Sequence, residues 1–248
     1  MTPRTRSRTA GVAGRGLTRL PDRACRLVET LGGRFSREMG IDVDRGDREV
    51  ERWLLAATLF GTRISAGIAV RTYRAMTEAG VRRLPDVEGR TWEELVEILD
   101  RGGYARYDYR TATRLLRLAE AVGGEAGALR GGGLDETRAA LDALPGWGPV
   151  TVALFLRELR GVWPGVDPPP DDRAVEAGRH AGLLGAGRDP LRRLREISGE
   201  AGLDVRDLEA ALVRLWLAHH REFPHCRGGA HCAVLSALLA TELPAEEG

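Results

Sequence analysis

The chain is predicted to be all-α, and three observations carry that prediction. Apolar residues recur at helical spacing in one segment after another, as in Trp53, Leu54, Ala57, Leu59 and Phe60. Capping patterns open several of these segments and glycine-rich joints separate them. No run alternates β-branched and polar residues over the length of a strand.

The elements follow in order. Val50–Met76 reads as two helices, with Gly61 and Gly67 marking the break. Thr91–Leu99 opens with Thr91-x-x-Glu94, a pattern in which each side chain can cap the other's backbone N–H, and continues into the apolar face of Trp92, Leu95, Val96 and Leu99. Thr111–Val122 and Asp135–Leu144 follow, the second with Asp135 as its N-cap. Gly123-Gly124 and Gly131-Gly132-Gly133 are the joints. Leu208–His219 carries Trp216 on its apolar face, as a core residue. No repeat at solenoid periods is evident.

Composition narrows the function classes. The 248 residues, 43% hydrophobic and 29% charged, suffice for one large domain or two lobes and are not those of a disordered chain. No apolar run approaches the roughly 20 residues of a membrane span. The first twenty residues lack the apolar core of a secretory signal and read as a flexible basic arm or a plain solvated tail, since Arg4, Arg6, Arg8, Arg15, Arg19, Arg23 and Arg26 face only Asp22. Three cysteines are too few for a disulfide scaffold, and a reducing cytoplasm is expected. All 37 basic residues counted as Lys or Arg are arginine. The absence of lysine removes Schiff-base chemistry, the P-loop phosphate ligand and lysine-activated serine from the repertoire. A net charge of +1 is neither a nucleic-acid nor a membrane signature in itself.

The most specific string is Leu144-Pro145-Gly146-Trp147-Gly148-Pro149-Val150-Thr151-Val152-Ala153. One amphipathic helix ends, a Pro-Gly-x-Gly turn reverses the chain, and a second helix starts with Pro149 in its favoured first turn. Glycines allow positive φ and remove bulk, so backbone N–H groups at the turn and at the new helix can meet a phosphate. A second string follows, Gly161-Val-Trp163-Pro164-Gly165-Val-Asp167-Pro168-Pro169-Pro170-Asp171-Asp172-Arg173-Ala174-Val175.

In this order and spacing the two strings resemble the helix-hairpin-helix/Gly-Pro-Asp superfamily of DNA glycosylases, which includes endonuclease III and the alkylpurine glycosylases. The resemblance covers about thirty residues closely, and a weaker likeness in helix order runs from about Arg48 to His220. It implies two helical lobes flanking a cleft, with the hairpin gripping duplex DNA through Gly146, Trp147, Gly148, Val150 and Thr151. Residues 1–20 would be the arm, 21–46 an N-terminal helix joining the C-terminal lobe, 47–160 the middle lobe, and 161–241 the Gly/Pro-Asp loop and C-terminal lobe.

The family's catalytic aspartate sits where the loop becomes a helix, with an apolar residue three positions on. Asp172 meets this with Val175, and Asp171 less well with Ala174, so Asp172 is expected as catalyst and Asp171 as cap or support. The doublet after proline resembles the alkylpurine branch. Asp167 precedes three prolines and lies too far from the helix. The residue type suits the chemistry, because release of a base passes through an oxocarbenium-like sugar that a carboxylate stabilises while it orients water. Both aspartates could equally serve as plain helix caps. Bifunctional members carry a lysine where this chain has Val150, so the resemblance implies a monofunctional enzyme that leaves an abasic site, with only the α-amino terminus as another amine. The alternatives are a non-catalytic DNA-binding protein and a bifunctional glycosylase/lyase.

Remaining assignments are implied by the same resemblance. Arg63 falls near the residue that fills the gap left by the flipped base, or is a surface arginine in a loop. Tyr107, Tyr109 and Trp163 are candidates for the base pocket. At the C-terminus, Cys226 and Cys232 resemble the start of an iron–sulfur segment whose other cysteines are missing, so no cluster is expected. Zinc on His225, Cys226, His231 and Cys232 is not expected either, because ligands adjacent in sequence rarely converge on one tetrahedral ion. His219 and His220 read as a helix end. The expected partner is double-stranded DNA with a damaged or mismatched base, bound by a monomer on the nucleoid of a bacterial cytoplasm, with no membrane and no cofactor.

Overall fold

The computed structural model describes residues 19–61, 64–123 and 126–240, with the backbone alone for 220–222. The basic arm, but for its last two residues, and Arg63 lie outside the described residues. The described chain is all-α, with no strand. The helices are α1 (Leu20–Leu31), α2 (Phe35–Glu38), α3 (Asp47–Thr58), α4 (Ala66–Glu78), α5 (Leu84–Glu88), α6 (Trp92–Arg101), α7 (Asp108–Val122), α8 (Leu134–Asp142), α9 (Pro149–Glu158), α10 (Asp172–His180), α11 (Pro190–Ala201), α12 (Val205–His219) and α13 (Ala233–Ala240).

The chain forms two compact units. One is continuous, Gly33–Asp171; the other joins the segment ending at Gly32 to the segment beginning at Asp172. Both boundaries differ from the expected ones at 46/47 and 160/161, and the cores explain why. Phe35, Ile41 and Val43 bury into the same core as Trp53, and so do Trp163 and Val166 beyond α9. Each large apolar side chain removed from water contributes about 1.5–3 kcal/mol, so these flanking residues are held with the middle of the chain.

Within the continuous unit the polar tips of Trp53 and Tyr104 are satisfied. Trp53 Nε1 donates to the Phe155 carbonyl at 3.4 Å, and the Tyr104 hydroxyl donates to the Leu59 carbonyl at 2.6 Å. In the discontinuous unit α1 packs through Ala24 and Leu27 onto a core with Leu194, Ile197, Leu208 and Leu212.

Local rules account for most boundaries. The Thr91/Glu94 pair forms as expected: Glu94 N–H donates to Thr91 Oγ1 at 3.2 Å and Thr91 N–H donates to Glu94 Oε2 at 2.9 Å. The break between α3 and α4 holds Gly61, whereas Gly67 lies inside α4. Asp135 is not the N-cap of α8. Gly133 occupies that position, and the preceding loop is tied down by Glu136 and Thr137, which accept from Gly132 N–H at 2.7 Å and Gly131 N–H at 3.1 Å.

Candidate functional site

The first candidate feature is the turn between α8 and α9. Gly146 has φ +77°, and a Cβ there would run into the Arg114 side chain, so this position needs glycine twice over. Trp147 anchors the turn from below: its indole is buried against Phe155, with ring centroids 5.2 Å apart, and Nε1 donates to Thr58 Oγ1 at 3.1 Å. Gly148 differs from Gly146. Its φ of −134° is open to any residue, and a Cβ would meet nothing within 4 Å, so this chain's own packing does not require glycine there.

Pro149 opens α9 as expected, and Gly148 offers no side chain to cap it. The Val152 N–H is taken up by the Gly148 carbonyl at 3.0 Å. The N–H groups of Val150 and Thr151 belong to the first turn, which has no intrahelical acceptor, and they point out of the positive end of the helix. The Val150 side chain is 55% exposed beside them. Of the five hairpin residues expected at DNA, Gly146, Gly148 and Val150 therefore offer surface. Trp147 and Thr151 turn their side chains inward, leaving only their backbones for such a role.

Beside the turn runs a groove of about 460 Å³ lined by Trp92, Tyr109, Arg110, Arg114, Arg117 and Gly146, among others. The three arginines share one face of α7 at helical spacing. Arg114 Nη1 is buried without a hydrogen-bond partner among the described residues. Tyr109, 63% exposed, stacks on Trp92 with centroids 5.3 Å apart and planes 23° from parallel. Tyr109 is thus an accessible aromatic surface. Tyr107 is half-buried against Tyr104. Trp163 does not line a pocket; it is core, edge-on to Phe155, because the loop after α9 buries its apolar residues. The arginine row is written in the sequence as i, i+4, i+7 spacing, but nothing local distinguishes it from any solvated helix face until the hairpin is seen beside it.

The proline-rich loop is held at its start by Arg160. This buried arginine pairs with Asp167 Oδ1 at 2.7 Å and donates to the Pro168 carbonyl at 2.7 Å. Asp167 is thereby committed to loop structure. Asp171 is half-buried, directly before the helix, and Asp172 is the exposed first residue of α10. The apolar residues three positions on do not rank them as expected. Ala174 is fully buried and Val175 only partly so, the reverse of the expected order, and exposure is what singles out Asp172.

A second feature lies in the discontinuous unit. One nitrogen or sulfur from each of His180, His219, Cys226 and Cys232 falls within 4.8 Å of every other. His180 ends α10 and His219 ends α12, while the cysteines lie in the segment before α13. His225 and His231 are exposed and outside this group, so the quartet of adjacent residues, His225, Cys226, His231 and Cys232, does not form. Burial holds the His180 imidazole below its ordinary value, with His219 adding to the effect. Burial also pushes the Cys232 thiol up, against the N–H bond from Leu235. Sequence spacing groups the cysteines with their neighbouring histidines because it carries no sign that two helix ends converge.

Comparison with protein-family models, with curated proteins and with solved structures finds no match to this chain.

Proposed function

We propose that the protein is a monofunctional DNA N-glycosylase: it binds duplex DNA through the α8–α9 hairpin, flips a damaged base, and hydrolyses its glycosidic bond with water activated by a loop aspartate. The observation that carries the reading is the open, uncapped N-terminus of α9 behind Gly148, flanked by Arg110, Arg114 and Arg117. Backbone donors at a helix start and a row of arginines are what a phosphodiester backbone requires. The exposed Tyr109 ring, stacked on the half-buried Trp92, offers a face on which an unstacked base could lie.

The chemical step rests on the resemblance of the Pro-Asp-Asp loop to the superfamily. In that reading Asp172 stabilises the sugar cation and orients the water, and Asp171 supports the turn into α10. The Arg160–Asp167 pair then positions the loop without touching substrate. A lysine-free chain leaves water as nucleophile, and the product is an intact strand with an abasic site. Among the described residues no helix is long and apolar enough to cross a membrane.

The test is a panel of duplexes, each with one alkylated, deaminated or mismatched base, incubated with the protein and divided before electrophoresis. Cleavage only after alkali supports a monofunctional glycosylase. Cleavage without alkali, with borohydride trapping the protein on DNA, would mean lyase chemistry at the α-amino terminus. Salt-sensitive binding with no base release on any lesion would leave a DNA-binding protein without catalysis.

A further inference from the structure

We propose that His180, His219, Cys226 and Cys232 form a mononuclear tetrahedral zinc site that pins the ends of α10 and α12 to the segment before α13. The inference starts from one unsatisfied atom. His180 Nε2 is buried and has no hydrogen-bond partner among the described residues, a costly arrangement unless something completes it. One ring nitrogen of the same imidazole, one of His219 and the two cysteine sulfurs all lie within 4.8 Å of one another, so one ion at their centre would be held by all four residues.

The surroundings are arranged as a metal site needs. His219 Nδ1 lies 2.9 Å from the Leu215 carbonyl one turn earlier, so Nδ1 carries the proton and Nε2 presents its lone pair to the centre. The Leu235 N–H donates to Cys232 Sγ at 3.2 Å from the first turn of α13, a hydrogen bond that a metal-held thiolate would also accept. Gly228, with φ +70°, brings the loop so close to α10 that a Cβ would lie 2.8 Å from the His180 carbonyl. The Phe223 ring packs against both imidazoles, at 4.8 and 5.3 Å between centroids, and limits access of water.

The donor set selects the metal. Among the described residues the group holds no oxygen ligand for calcium or magnesium, and two thiolates with two neutral imidazoles cancel a divalent charge, which suits a site with two buried and two half-buried residues. A four-iron cluster needs more thiolates than the two present here. A two-iron centre with the same residues puts histidines on one iron and cysteines on the other. Here His219 Nε2 and Cys232 Sγ are in direct hydrogen-bond contact at 2.9 Å, and a separation of about 3.5 Å would make them neighbours on one tetrahedral ion.

The experiment uses the full chain purified from medium containing both zinc and iron. One zinc per chain is expected, with absorption fine structure giving two sulfurs at about 2.3 Å and two nitrogens at about 2.0 Å. Removal by chelator should lower the thermal midpoint, and added zinc should restore it. His180→Ala and Cys226→Ser should lose the zinc, whereas His225→Ala and His231→Ala should keep it. Should the ligand variants fail to fold, cobalt titration of the stripped wild type decides: a tetrahedral spectrum with thiolate-to-cobalt charge transfer supports the site, and an octahedral spectrum overturns it. Iron with labile sulfide, zinc retained by Cys226→Ser, or a midpoint indifferent to chelator and zinc would also overturn it.

Discussion

At the scale of single residues, the two glycines of the hairpin make opposite predictions. Gly146 is required by its backbone and by Arg114, so any substitution there should destabilise the fold. Gly148 is required by neither. Gly148→Asp would cap α9 and complement its dipole, and thermal or urea unfolding should show unchanged stability or a gain of about 0.5–1 kcal/mol. The same carboxylate would occupy the proposed phosphate position, so affinity for all duplexes should fall by similar factors in a binding titration. Unchanged affinity would remove the hairpin from the DNA interface. The aspartate doublet supplies a second test. Asp172→Asn should still bind lesion DNA while base release drops by about 10²–10³, because only the carboxylate can meet the developing positive charge. Asp171→Asn should retain most activity, and single-turnover assays separate the two. A dead Asp171→Asn with a working Asp172→Asn would exchange the roles, an outcome to which the deeper burial of Ala174 lends weight.

At the scale of elements, α7 carries the electrostatic prediction. Replacing Arg110 or Arg117 with Gln should weaken binding to every duplex alike. It should also reduce the slope of log affinity against log salt by about one unit for each phosphate no longer neutralised. A lesion-specific defect with an unchanged slope would count against a phosphate role. The elements also show what a sequence can convey. Thr91 and Glu94 are legible because both halves of the cap lie within one turn. Asp135 misleads because the residue type suits an N-cap, while the cap position depends on where the loop Gly131–Gly133 lets the helix begin. Trp163 sits in a loop by sequence and in the core by structure, since the chain after α9 folds back over Phe155. The turn between α8 and α9 is readable in part, since the positive φ of Gly146 and the placement of Pro149 at the start of α9 are local, whereas the inward turn of the Trp147 and Thr151 side chains is not. The His180–His219–Cys226–Cys232 group is not readable, because its members meet only when α10 and α12 end at the same place.

At the scale of the whole molecule, the continuous unit contains a titratable group with a consequence for stability. Glu158 is fully buried and accepts the Ser36 N–H at 3.3 Å. Burial holds its carboxyl above the ordinary value of 4.5, against the opposing pull of Arg157 and Ser36. A group whose folded value is raised contributes stability below its unfolded value and loses it as pH climbs through the raised one. Wild type should therefore lose stability relative to Glu158→Gln as pH climbs above the ordinary carboxylate value, read by urea unfolding at an acidic and at a neutral pH. A constant difference would mean that the carboxyl titrates alike in both states. The other property at this scale concerns time. The segment that ends at Gly32 packs with α11, α12 and α13, so the first helix made on the ribosome has its partners at the far end of the message. Synthesis proceeds at about 5–20 residues per second, and domains generally fold as units while the chain emerges. Gly33–Asp171 is complete long before α12 exists, whereas α1 must wait with Ala24 and Leu27 uncovered. The order of folding is thus the reverse of the order of writing for this one helix, and a chain halted short of α12 leaves its apolar face open to chaperones and proteases.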